Sequence, residues 1–263
     1  EGVAHAVQGA AVVFHQAAIP SVARSVADPV ASNDVNVTGT LNALVAARDA
    51  GVERVVYASS AAVYGNAESL PLHESMPTRP ASPYGASKLA GERYLEAFTR
   101  TYGLPTVALR YLNVFGPRQN PRSEYAAAIP RFISWSLAGE VPTIFGDGEQ
   151  ARDFVFVDDV VRANLLAAEA PEPAWGGAFN IGRGERRTVN ELLAAIRALV
   201  PGEHPAPAHA APRAGEVRDS WSDIGAARET LGYQPEVTFE EGLSRTIEWI
   251  AGETGAGVHH QVR

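Results

Sequence analysis

Apolar runs of strand length alternate with amphipathic stretches through the first half of the chain. Ala10-Ala11-Val12-Val13-Phe14-His15, Arg54-Val55-Val56-Tyr57-Ala58-Ser59 and Thr106-Val107-Ala108-Leu109-Arg110 are nearly continuous, as expected for parallel strands buried on both faces. Between them, residues from about Asn33 to Ala50 place Leu41, Leu44, Val45 and several alanines on one helical face and stop at Gly51. A second helix is predicted from Pro83 to about Tyr102, with Ser82 as its cap, Pro83 in its first position and Gly103 as its stop. Glu1 to Gly9 reads as the tail of an amphipathic helix, and the stretch holding Pro20 and Pro29 as a loop. Such strand–helix alternation predicts an α/β fold, a Rossmann-like doubly wound parallel sheet. Ligands bind beyond the carboxyl ends of such strands. Gln16-Ala17-Ala18, Ser59-Ser60 and Tyr111-Leu112-Asn113 should therefore line one crevice.

Beyond Gly116 the rhythm breaks. A helix is expected over about Tyr125 to Ala138, then strands at Val141–Phe145 and Asp153–Val157 around the turn Gly146-Asp147-Gly148. Asp158 and Asp159 are read as cap and dipole partners of a helix reaching Ala168. A strand at Ala178–Gly182, a helix at Thr188–Leu199 and an extended Pro/Ala-rich connector, Pro201–Pro212, follow. Helices near Ile224–Leu231 and Phe239–Ala251 complete the pattern, and 253–263 is expected to be a disordered tail.

Composition narrows the chemistry. A net charge of −8 with no long basic block argues against nucleic acid as the main partner. The absence of Cys excludes disulfides and thiolate catalysis. No run approaches a membrane span and no signal-peptide pattern opens the chain, so a cytoplasmic location is expected. Lys88 is the single lysine among 22 Lys and Arg residues. Either this is chance, or the position needs a compact ammonium that guanidinium cannot imitate.

Three residues form a candidate proton-transfer set. Ser60 ends a buried strand, Tyr84 lies in the first turn of the Pro83 helix, and Lys88 stands four residues on along the same face. The bland alternative is a surface helix with an exposed lysine and a packed tyrosine. His15 is read as a packed structural histidine, and no metal role is assigned to His259 and His260.

Tyr84-x-x-x-Lys88 alone is a weak signal. Joined to Ser59-Ser60-x-x-Val63-Tyr64-Gly65, Arg110-Tyr111-Leu112-Asn113-Val114-x-Gly116-Pro117 and Arg152-Asp153-Phe154, it resembles the extended short-chain dehydrogenase/reductase superfamily. Within that superfamily the sequence is most similar to nucleotide-sugar 4-epimerases of the UDP-glucose/UDP-N-acetylglucosamine type, from His15 to about Ile250. The resemblance implies NAD as cofactor, a UDP-sugar as substrate, and a homodimer paired through the helices at Asn33–Ala50 and Pro83–Tyr102. It implies Ser60, Tyr84 and Lys88 as catalytic residues, with Lys88, its ammonium, the nicotinamide and the helix N-terminus lowering the Tyr84 pKa. Gln16, Ala17, Ala18, Tyr84, Lys88 and Leu112 are the implied cofactor contacts. Ser21, Asn113, Ala127, Ala128, Arg152, Arg213, Glu216 and Ser220 are the implied substrate contacts, Ser220 leaving room for an N-acetyl group at C2.

Two departures qualify this resemblance. Family members open with a strand, a glycine-rich turn and a helix that hold the NAD pyrophosphate, and no such segment occurs near the start here. The chain is therefore expected to lack the first strand–helix units. Residues 1–115, with about 153–182, are then a partial dinucleotide-binding domain, and 116–152 with 183–252 a smaller substrate lobe. Second, 4,6-dehydratases carry an Asp-Glu pair after the residue matching Ser60, where this chain has Ala61 and Ala62. That favours epimerisation over dehydration. Other nucleotide-sugar epimerases or reductases, and a non-catalytic scaffold that has lost NAD binding, remain alternatives.

Overall fold

The computed structural model describes residues 2–120, 128–211 and 217–254. A short helix, α1 (Gly2–Ala6), leads into β1 (Val12–His15). The proline-bearing stretch expected as loop instead carries α2 (Val22–Ala27) and α3 (Pro29–Asn33). Both are locally encoded: Ser21 Oγ accepts from Arg24 N, the Asp28 carboxylate accepts from Ala31 N, and Pro29 sits in the first turn. The helix expected over Asn33–Ala50 is consequently interrupted. Asp34–Thr38 form a π-helical turn before α4 (Gly39–Asp49). That turn holds Asn36, whose buried amide bonds Ile19 N, Ile19 O and the Ser87 hydroxyl. Such a bulge answers a tertiary demand that hydrophobic periodicity does not register.

Next come β2 (Arg54–Ser60), a 3₁₀ turn at Ala61–Tyr64, α5 (Pro83–Tyr102) and β3 (Thr106–Tyr111). α5 has its predicted bounds, with Ser82 Oγ accepting from Gly85 N and Gly103 in the left-handed conformation at φ +67°. β4 (Asn113–Phe115), α6 (Ala128–Ala138), β5 (Thr143–Phe145), β6 (Ala151–Arg152), β7 (Phe154–Phe156) and α7 (Val157–Ala168) follow. The chain ends with β8 (Ala178–Ile181), β9 (Arg187–Thr188), α8 (Val189–Leu199), β10 (Ala208–Ala210), α9 (Gly225–Leu231) and α10 (Phe239–Thr254).

Two further expectations change. The Pro/Ala connector is not wholly loop, because β10 pairs in parallel with β5. Asp158 and Asp159 lie inside the first turn of α7 and Phe156 is the N-cap residue, so the pair are dipole partners but not caps. Asp159 is fully buried, its carboxylate accepting from Glu236 N and Val237 N. The expected tail falls beyond the described residues from 255 onward, while 253 and 254 extend α10.

Strands β1-β2-β3-β8 form one parallel sheet in that order, with β1 at one edge. Alternation along the strands loads both faces. Val55, Tyr57 and Ala108 pack with Leu44, Ala47, Leu95 and Phe98 under α4 and α5. Val56, Val107 and Leu109 pack with Val160, Ala163 and Ala167 of α7 on the opposite face. A separate core gathers Phe115, Ile133, Phe154, Phe156, Leu192, Leu243 and Ile247 from α6, α8, α10 and the short strands. Among the described residues no helix is long and apolar enough to cross a membrane.

Candidate active site

Parallel register aligns the strand ends. His15 is opposite Tyr57, and Ser60 is opposite Tyr111. Gln16-Ala17-Ala18, Ser60 and Tyr111-Leu112 thus sit at one end of the sheet, where ligands of this architecture bind. Ser60 caps the 3₁₀ turn, its Oγ accepting from Ala62 N at 3.2 Å. The first turn of α5 lies directly on that turn. A Cβ on Gly85 would stand 2.5 Å from Ala62 O, so only glycine allows this approach. Tyr84 N donates to Ser25 Oγ at 3.0 Å, which ties the same turn to α2. The result is that the Ser60 hydroxyl stands beside the Tyr84 phenol, close enough to favour its ionised form. One turn on, Lys88 Nζ donates to Ala58 O at 2.8 Å, 5.0 Å from the Tyr57 ring centre and 5.9 Å from that of Tyr84. The three candidate residues are therefore brought together, and Lys88 is buried rather than exposed.

In the chain itself, burial dominates the electrostatics at Tyr84. Burial pushes its phenol above the ordinary value, and the Ser60 hydroxyl beside it only partly offsets this. Burial also lowers Lys88 itself, to about 8. His15 stacks on Tyr57 and bonds Thr40 Oγ1 at 2.9 Å, a packed position as expected. Its pKa is lowered by burial and by the neighbouring Lys88 charge.

A dinucleotide's nicotinamide ribose suits these residues. An ammonium carries three donors, and one of those on Lys88 goes to Ala58 O. The remaining donors of a buried cation match ribose hydroxyls. Ala17 and Ala18 present no bulk at the end of β1, and Gln16 lies in the exposed cluster it forms with Tyr111 and Asn164. Leu112 is buried, its N–H held by Ile181 O.

The expected substrate contacts divide into three groups. Ala127, Arg213 and Glu216 lie outside the described residues. Asn113 is exposed at the start of β4, Ala128 opens α6, and Ser220 bridges to Arg152. Ser21 caps α2, and the Arg152 guanidinium donates to Ala151 O, Val217 O and Arg218 O, so both side chains already serve the local backbone. Around Arg152 and Ser220 the geometry is set by Asp153, whose role the Arg152-Asp153-Phe154 motif does not disclose. Its buried carboxylate accepts from Arg183 N, Gly184 N, Ser222 N and Ser222 Oγ. Also missed were Ser25, Asn36, Glu92 and Arg110. Glu92 had a legible signal, since it follows Lys88 by the spacing that separates Lys88 from Tyr84.

Known proteins resemble this arrangement over most of its length. The chain matches the NAD dependent epimerase/dehydratase family over residues 3–182. It is 45% identical over 245 residues to the UDP-glucose 4-epimerase of Mycolicibacterium smegmatis, covering 92% of this chain and 77% of that protein. Among solved structures it is similar to the UDP-N-acetylglucosamine 4-epimerase from Methanobrevibacter ruminantium, in complex with UDP-N-acetylmuramic acid. That likeness has a TM-score of 0.92 and 38% identity, covering 96% of this chain and 80% of the other. It is also similar to the UDP-glucose 4-epimerase of Thermotoga maritima with UDP-glucose, at TM-score 0.90 and 40% identity, covering 96% and 82%. With this match spanning more than half its length, and with strand-end serine, helix tyrosine and buried lysine assembled, the chain belongs to the NAD dependent epimerase/dehydratase family.

Proposed function

We propose that the chain catalyses NAD-dependent epimerisation at C4 of a UDP-hexose or UDP-N-acetylhexosamine. The observation that carries this reading is the Ser60–Tyr84–Lys88 cluster at the strand ends, with Ala61 and Ala62 where a dehydratase needs an acid and a base. In it, Tyr84 removes the proton of the sugar 4-hydroxyl and later returns it, and Ser60 bonds the 4-oxygen between the two transfers. NAD, when bound, would supply the hydride acceptor and donor through which C4 passes by way of a 4-keto sugar. Lys88 holds the nicotinamide ribose and contributes positive charge beside Tyr84. Burial opposes the phenolate, whereas the Ser60 hydroxyl and the N-terminus of α5 favour it.

Gln16, Ala17, Ala18 and Leu112 border the cofactor in this reading. Ser21, Asn113, Ala127, Ala128, Arg152, Arg213, Glu216 and Ser220 border the nucleotide and sugar, and residues 116–152 and 183–252 form the substrate lobe. The relatives act on or hold UDP-glucose and UDP-N-acetyl sugars, which supports both substrate classes. Two copies pair through the helical layer containing α4 and α5. Exposed Val35, Tyr94 and Tyr102 on and beside these helices support that pairing.

The test is interconversion of the C4 epimers of a UDP-hexose by the intact protein, followed by NMR of the anomeric protons. Tyr84→Phe is expected to abolish turnover and keep the fold. Normal turnover by the Phe variant would overturn the mechanism.

A further inference from the structure

Tyr84 and Lys88 ride on α5, so their placement depends on how that helix is fixed against the sheet. Glu92 continues their face at the same four-residue spacing, about 12 Å along the axis from Tyr84. Its carboxylate is held three ways. Ser59 Oγ donates to Oε1 at 2.5 Å, Arg110 Nε donates to Oε1 at 2.9 Å, and an Arg110 terminal nitrogen donates to Oε2 at 2.8 Å. The ion pair is buried, with 5% of each side chain exposed. Ser59 immediately precedes Ser60 on β2, and Arg110 lies on β3.

The grip extends to the sugar side. Another Arg110 nitrogen donates to Tyr64 Oη at 2.8 Å, and Tyr64 donates to Asn180 Oδ1 at 2.7 Å. Asn180 Nδ2 in turn reaches Leu72 O and Asp223 O. Leu72 is bonded through its N–H to Trp221 O, next to Ser220. A polar cavity of about 360 Å³, bordered by Glu74, Glu92 and Arg110, lies alongside. Directional bonds hold these side chains.

We propose that Glu92, gripped by Arg110 and Ser59, is a positioning residue that sets the register of α5 on β2 and β3 and thereby aims Tyr84 and Lys88 at the substrate. This rests on the epimerase reading above. A buried ion pair adds little net stability, but it specifies one geometry, because removing either partner leaves the other charge unpaired. Misplacement of a reacting group by ~1 Å costs about 100-fold in rate.

The experiment compares Glu92→Gln and Ser59→Ala in the intact protein with Leu193→Ala, a truncation in the separate core under α8. The readouts are kcat, KM for the UDP-sugar, Tm, and the NMR signal of the Tyr84 ring, identified by its loss in Tyr84→Phe. Glu92→Gln is expected to lower kcat about 100-fold and Ser59→Ala roughly tenfold. Both should leave KM unchanged and shift the Tyr84 signal. Leu193→Ala should lower Tm and leave that signal unmoved. If Glu92→Gln does not fold, Ser59→Ala decides alone. Unchanged kcat and an unmoved Tyr84 signal, with only Tm lowered, would overturn the proposal. If the wild-type protein turned over no UDP-sugar, the epimerase reading would fail separately, and the Tyr84 signal would still decide the positioning role.

Discussion

Burial of the Lys88 ammonium predicts that the nucleotide-free chain gains stability as the solution becomes alkaline. The folded-state value is about 8 against an ordinary 10.5, lowered by desolvation. Below about pH 8 both the folded and unfolded chains hold the proton, and the cost of burying the charge is fully present. Between about 8 and 10.5 the unfolded chain binds more proton than the folded one, so stability rises with pH through that window. From about pH 7 to about pH 10 the gain is on the order of 2–3 kcal/mol. The assay is urea unfolding of the nucleotide-free wild type and of Lys88→Met across that range. Subtracting the two curves cancels groups common to both, including tyrosines whose phenols burial has raised. His15 is already neutral over this range because its value is lowered. A difference curve that stayed flat, or fell with rising pH, would refute the reasoning, since it would mean that Lys88 is solvated in the folded chain.

Two other outcomes follow from close approaches in the same region and at Ser220. Gly91→Ala would place a Cβ 2.3 Å from Tyr57 Oη, across the contact between α5 and β2. It should cost about 1–3 kcal/mol of stability in thermal unfolding, and Tyr57→Phe in the same chain should recover part of that by removing the nearest atom. An unchanged Tm would show that the helix is not seated as tightly as described. Ser220→Tyr should lower kcat/KM for a UDP-N-acetylhexosamine more than for a UDP-hexose, measured on both substrates. Equal loss on both would disconnect Ser220 from the C2 substituent.

The parts of this protein that depend on local sequence were legible in it. β2, β3 and α5 follow directly from apolar runs, the Ser82-Pro83 start and the Gly103 stop, because caps and periodicity act within a few residues. Ser60, Tyr84 and Lys88 were legible for the same reason, being fixed by a strand end and one helical turn. Asn36 was not, because its value lies in reaching Ile19 and Ser87, and the π turn it occupies breaks the helical period that pattern reading relies on. Nor was the local use of Ser21 and Arg152, whose polar groups bond neighbouring backbone in the folded chain.

By itself, then, the sequence determined the alternation of strand and helix, the parallel sheet, and the face of α5 that carries Tyr84 and Lys88. Only the tertiary structure decided what that face meets. It set Lys88 against Ala58 O and Glu92 between Arg110 and Ser59, and it buried Tyr84 deeply enough to raise its phenol. Spacing along a helix fixes direction, whereas desolvation and hydrogen-bond partners come from residues distant in the chain, and these determine the charge state on which the chemistry depends.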